Sequence, residues 1–157
     1  MTEFSTRGGQ MLRRLPPGAR VVYAGFLVFL LLGLVSAALL HADAMGFDRA
    51  ATYWRGDEAQ MLYPKSYRQL LELTHFHLFT EPVVWLVVAH LYQLSGGRGW
   101  IILGTLGAIG AQVALPWVVT YVSPAPAVLL LPATVGVVGG LLWMIVASLR
   151  ELAAPRS

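Results

Sequence analysis

The four histidines of this chain, His41, His75, His77 and His90, are set in or beside long apolar stretches. With Glu72, Glu81 and Asp43 they are the side chains whose types and spacing suit metal ligation or proton transfer. Most lie in one segment, Glu72-Leu-Thr-His75-Phe-His77-Leu-Phe-Thr-Glu81-Pro82, with His90 further on. Read as a helix at about 100° per residue, Glu72, His75 and His90 fall within about 60° of one another, while His77 and Glu81 lie on nearly the opposite side. Such a helix has two polar faces and expects neighbours on both. At about 1.5 Å of rise per residue, His75 and His77 sit about 10 Å inside an outer boundary near Gln69, Glu81 near the midplane and His90 near the inner boundary. His41, followed by Asp43, ends the preceding apolar stretch, so His41, Asp43, Glu72, His75 and His77 share one outer level. Gln112, near the midplane of another stretch, is a potential partner for Glu81.

Two neutral imidazoles from different helices are what a b-type haem needs as axial ligands. His41 with either His75 or His77 would form that pair, and Phe76, Phe79, Phe26 and Phe29 are available to line the slot. Glu72 would orient a histidine, and Glu81 would be a proton- or quinone-contact group. His90 meets no histidine at its own depth, only Met144, so a second haem is not expected. The alternative in the same place is a mononuclear copper or zinc site from His41, His75, His77 and Glu72, with Asp43 a further candidate. His75 and His77 point about 200° apart in a regular helix, so both reach one metal only where Pro82, which frees the carbonyl of Leu78, distorts it. A carboxylate-bridged di-iron cage cannot be completed, because the last two apolar stretches carry no carboxylate or histidine. A cofactor-free alternative is an accessory or assembly subunit of a larger membrane complex, whose polar residues hydrogen-bond other helices or a partner.

The elements that must position these groups follow from composition. The chain has 157 residues, 57% hydrophobic and 12% charged, with a mean hydropathy of +0.64. Soluble domains carry about a quarter charged residues, so this composition excludes a soluble enzyme and a nucleic-acid module. The absence of cysteine excludes disulfides, thiolate metal sites, iron–sulfur clusters and c-type haem attachment. Four stretches, about 21–41, 69–94, 100–122 and 127–149, reach the ~20 residues that cross a bilayer. The expected fold is all-α: an integral membrane four-helix bundle forming a single domain over 1–157, with one long loop, 42–68, between the first two spans. Gly104, Gly107 and Gly110 on the third span, and Gly136, Gly139 and Gly140 on the fourth, predict close packing in the inner and middle parts. Pro116 and Pro132 predict kinks in the outer halves.

Basic residues set the orientation. Arg7, Arg13, Arg14 and Arg20 precede the first span, Arg98 lies in the 95–99 turn, and Arg150 and Arg156 follow the last span; the 123–126 turn has none. Both termini are therefore expected in the cytoplasm, with the long loop outside despite its Arg49, Arg55, Lys65 and Arg68. Arg13-Arg14, an apolar run and Ala42-Asp43-Ala44 have the shape of a signal peptide. The run exceeds the usual 7–15 residues, so a retained helix is expected. Aromatic residues interleaved with charges in the long loop suit a folded cap or docking surface, or a short interfacial helix from about Phe47 to Trp54.

In plan, four spans with histidines near one face, the chain is similar to the four-helix membrane cytochrome b subunits that anchor respiratory dehydrogenases and exchange electrons with quinone. The resemblance covers the spans and histidine placement and includes no diagnostic motif. No P-loop, G-x-S-x-G, H-E-x-x-H or dinucleotide fingerprint is present, and nothing marks a substrate that would separate an enzyme from an electron-transfer subunit. The expectation is a bacterial inner-membrane protein that binds haem b on its outer side and exchanges electrons with quinone or a periplasmic carrier.

Overall fold

The computed structural model describes residues 11–44 and 49–155, the side chains of 41–44 excepted. The side chains of His41 and Asp43, and the whole of Phe47, thus lie outside the described residues. The described chain is built from helices: α1 (Pro17–Ala44), a short α2 (Ala50–Arg55), α3 (Tyr67–Leu94), α4 (Gly99–Tyr121) and α5 (Leu130–Ala153). Short 3-10 turns at Leu12–Arg14, Glu58–Gln60 and Ala125–Leu129 complete it. Three stretches, Pro17–Leu40, Gly99–Tyr121 and Ala125–Ala153, are long and apolar enough to cross a membrane. They make the chain a multi-pass integral membrane protein with the bilayer as its surroundings. Helix α3 equals α1 in length, 28 residues each, but Glu72, His75, His77, Glu81 and His90 leave it less apolar.

Helix α5 is the hub. It packs most closely on α4 and also against α3 and α1, whereas α1 makes little direct contact with α3 or α4. Leu27, Val88, Leu91, Ile109, Leu141, Met144 and Ile145 form the main buried cluster. The α4–α5 contact rests on two of the six glycines singled out above. A Cβ built on Gly136 would stand 2.9 Å from that of Ala108, and one on Gly140 would run into the Thr105 hydroxyl. Gly104, Gly107, Gly110 and Gly139 face open space, so they do not provide the close packing expected of them. Pro132 is also placed differently from the expectation. It lies in the first turn of α5, where helices tolerate proline.

Hydroxyl groups along the helices bond back to their own backbone: Thr80 to Phe76 O at 2.8 Å, Thr105 to Ile101 O at 2.8 Å and Ser148 to Met144 O at 2.8 Å. Tryptophans make the cross-helix ties. Trp85 Nε1 donates to Ile102 O at 3.2 Å, Trp117 Nε1 to Thr74 Oγ1 at 2.7 Å and Trp143 Nε1 to the Tyr92 hydroxyl at 3.2 Å. The first two fix the antiparallel register of α3 on α4, and the third ties α5 to α3.

At one end of the bundle the two terminal segments are fastened together. Arg13 forms a two-pronged ion pair with Glu151, at 2.6 and 2.9 Å. Arg20 donates to Leu152 O and to Ala154 O. Carbonyls at a helix C-terminus lack intrahelical donors and carry partial negative charge, so a guanidinium there is doubly favourable. Glu151 also holds the Arg13 guanidinium above its usual pKa, chiefly through the hydrogen bond and then through its charge.

The opposite end carries a folded cap. Asp57 and Leu62 exchange both backbone hydrogen bonds at 2.9 Å, and Trp54, 6% exposed, packs in a cluster with Leu70, Val119, Ala127 and Leu130. Gly56 takes φ +77°, and a Cβ there would lie 2.5 Å from Leu62 O and 2.6 Å from Pro64 N, so no other residue fits the turn. Arg55 donates to Val119 O at 3.0 Å at the end of α4. Ser66 and Gln69 then start α3 with a reciprocal capping box. The helix in this segment is Ala50–Arg55, within the range proposed from Phe47 to Trp54 but for its last residue.

Candidate polar site within the bundle

The two polar faces of α3 meet different surroundings. Glu72 and His75 are exposed on the bundle exterior. Glu72 is held by Arg68, one turn earlier, at 2.9 Å, and so does not orient a histidine as expected. The His75 ring lies 4.9 Å from that of Phe79 on the same helix. His90 is also exposed, and it borders a separate cavity with Leu12, Leu15 and Tyr23 near the fastened end.

His77 and Glu81 turn inward. His77 Nδ1 lies 2.7 Å from Glu81 Oε1, with the two side chains 30% and 17% exposed. The i, i+4 spacing on a helix places the two heads side by side, so this contact needs no tertiary adjustment. Gln112 on α4 approaches from across the bundle, its Nε2 reaching Glu81 Oε1 at 3.5 Å, as its lone amide in an apolar stretch suggested. Glu81 Oε2 and Gln112 Oε1 are buried without a hydrogen-bond partner. Buried oxygens in that state are uncommon.

These groups border a cavity of about 300 Å³ lined by α1, α3, α4 and α5. Its polar wall is His77, Thr80, Glu81, Gln112 and Thr134; the rest is apolar, including Phe29, Leu34, Val84, Val137 and Leu141. Thr134 was missed in the sequence, where its only signal is a lone hydroxyl in the apolar first half of its helix. Gly33, Ala37 and Ala38 supply a small-residue wall on α1. Phe29, Gly33 and Ala37 are exposed, so the cavity opens along α1 toward the bundle exterior. That opening follows from α1 packing chiefly on α5.

Of the proposed ligand histidines, the structure thus brings His77 to the bundle interior with Glu81 and leaves His75 outside. His41 lies in the last turn of helix α1, and its side chain is outside the described residues. With Nδ1 at a carboxyl group, Nε2 is the His77 nitrogen available for a ligand, and it has no hydrogen-bond partner among the described residues. Histidines that ligate metals usually present one nitrogen while a carboxylate holds the other. Among the described residues no three His, Asp or Glu side chains gather in one place, so a metal held by protein donors alone lacks its full set there.

A family model described as a transmembrane helical domain matches residues 44–157. The matched region takes in the cap, α3, α4 and α5, hence Glu72, His75, His77, Glu81, His90 and Gln112. No curated protein and no solved structure matches the chain.

Proposed function

This chain belongs to the Aq_1264_TM family of transmembrane helical domains, and on that premise we propose that it is a four-span electron-transfer protein binding one b-type haem through His77 and His41. Helix α3 is the fourth span, its ionisable groups tolerated because the inner face meets Gln112 and the cavity, and Glu72 meets Arg68 near the end of the helix. Both termini face the cytoplasm of a bacterial inner membrane. Arg13, Arg14, Arg20, Arg98 and Arg150 belong to the end where the termini are fastened. At the other end Arg55 is engaged by α4 carbonyls, Arg68 by Glu72, and Lys65 lies 4.4 Å above the Tyr53 ring.

The observation that carries the haem reading is the 2.7 Å contact of His77 Nδ1 with Glu81. It fixes the plane of the imidazole and leaves Nε2 as the nitrogen that would hold the haem. His41, which the sequence sets at the same outer level, would be the second residue to hold the haem, and a haem asks for fewer protein donors than a copper or zinc site does. A bound haem would supply a one-electron couple within the membrane. The protein's part is to hold the ring of His77, exclude water with Leu34, Val84, Val137 and Leu141, and shield the outer side with the cap. Electrons would be exchanged with quinone in the bilayer or with a periplasmic carrier.

Visible absorption spectra of the purified protein, oxidised and dithionite-reduced, test this directly, with metal analysis on the same sample. Near-stoichiometric haem is expected, lost in His77→Ala and kept in His75→Ala. A colourless protein containing copper or zinc would move the site to the metal reading. A colourless, metal-free protein, or haem that survives His77→Ala, would overturn the proposal and leave the accessory-subunit reading.

A further inference from the structure

Polar groups on the outward face of α3 need a partner that the bundle itself does not supply. Residues 21–40, 100–121 and 130–149 contain no charged side chain and no histidine, so α1, α4 and α5 present uncharged surface to lipid. The cap half of α3 instead sets Arg68, Glu72, His75, Phe76, Phe79 and Val83 on its exterior, all of them exposed. At about 100° per residue these six fall within about 100° of one another, on the side away from His77 and Glu81. The ties of Trp117 to Thr74 and of Trp85 to Ile102 run α3 antiparallel along α4. Helix α4 ends at Tyr121, one turn beyond Trp117, so His75 lies about 7 Å inside that end. Its ring has the Phe79 ring beside it, at 4.9 Å, and no hydrogen bond among the described residues. Ionisable side chains at membrane depth are costly and normally face a partner.

A second copy of this chain meets that need. Two copies inserted in the same sense and related by a two-fold axis along the membrane normal bring equal-numbered residues together at equal depth. Such a contact works only where each level can satisfy itself. A neutral imidazole carries one donor and one acceptor nitrogen, and Arg68 and Glu72, one turn apart and largely exposed, offer both signs of charge. Phe79 and Val83 continue the stripe with apolar surface. We propose that two copies associate in the membrane through this half of α3. His75 hydrogen-bonds the partner's His75, and the Arg68–Glu72 pairs of the two copies interleave beside it. The inference rests on α3 being the fourth span and not on the haem, because the stripe faces away from the cavity.

The chain has no cysteine, so single-cysteine variants of the full protein report contacts without background. In lipid vesicles, oxidation with diamide should couple Phe79→Cys and Val83→Cys into dimers. Leu73→Cys and Leu78→Cys, about 110° to either side of the stripe, should stay monomeric, since a disulfide needs Cα atoms within about 7 Å. All four positions are exposed, so none disturbs the core. Energy transfer between copies carrying donor and acceptor dyes, followed on dilution with lipid, measures the association. His75→Leu should weaken it about three- to thirtyfold, the range for one hydrogen bond between membrane helices. His75→Gln should restore it, because the amide keeps a donor and an acceptor. Energy transfer no greater than chance proximity, equal coupling at Leu78 and Phe79, or unchanged association in His75→Leu would overturn the inference. Failure of the span reading is separately visible, as labelling of Phe79→Cys by a membrane-impermeant maleimide. Failure of the haem reading shows as missing absorption bands in a protein that still dimerises.

Discussion

Replacing Gly140 with alanine inserts a methyl group where α5 crosses α4. The new carbon would run into the Thr105 hydroxyl, and it would also stand 3.0 Å from Thr105 Cβ and 3.0 Å from Cγ2. Thr105 is 3% exposed, and its hydroxyl is bound to Ile101 O at 2.8 Å, so it has little freedom to yield. Either the helices separate, at the ~1–3 kcal/mol typical of an overpacked core, or Thr105 rotates and its buried hydroxyl goes unpaired, at a similar ~1–3 kcal/mol. Against this stands the gain of alanine over glycine in a helix, about 1 kcal/mol. Gly107→Ala isolates that gain, because a Cβ at Gly107 meets nothing within 4 Å. The difference between the two variants cancels propensity and leaves the packing cost, about 1–3 kcal/mol against Gly140→Ala. Unfolding in mixed micelles of rising SDS content, followed by far-UV circular dichroism, measures it. Adding Thr105→Ala to Gly140→Ala should recover most of the loss, since the clashing oxygen and Cγ2 are gone. Equal stability of Gly140→Ala and Gly107→Ala, or no recovery in the double variant, would refute the glycine-mediated contact.

Glu81→Gln should weaken haem retention by about 10–100-fold, the usual effect of removing a carboxylate from behind a ligating histidine, whereas Glu72→Gln should leave it unchanged; haem content after dilution in detergent checks both. Gly56→Ala should unfold the cap, since its Cβ has no space beside Leu62 and Pro64, and limited proteolysis should then cut between residues 50 and 66 while the long helices stay intact. Arg55→Ala should loosen the same cap by about 1 kcal/mol through loss of its bond to Val119 O, with the Trp54 fluorescence shifting to the red. Arg20→Ala should expose the C-terminal end of α5 to hydrogen exchange first, because Leu152 O and Ala154 O lose their donor.

Much of this protein is legible along its chain. Runs of apolar residues are enough to specify a multi-pass membrane class, because length and hydropathy are properties of the local chain. The opposition of His75 to His77, and the pairing of His77 with Glu81, follow from helical period alone. The contact of Gln112 with Glu81 was also anticipated, as the lone amide of its stretch at matching depth. The rotation of α3 about its own axis was a different matter. Period sets the angles between side chains on one helix but says nothing of which face turns inward, and only the packing of α3 on α4 and α5, fixed by Trp85, Trp117 and Trp143, put His77 inside and His75 outside. Likewise, glycines of equal standing in the sequence became unequal when Gly136 and Gly140 met Ala108 and Thr105 while Gly104, Gly107 and Gly110 met nothing. Arg13 and Arg20 read only as charges near a membrane surface until the end of α5 came within reach. What an interaction depends on decided what could be foreseen: local sequence encodes period, length and caps, whereas the partner of each face exists only once the helices have assembled.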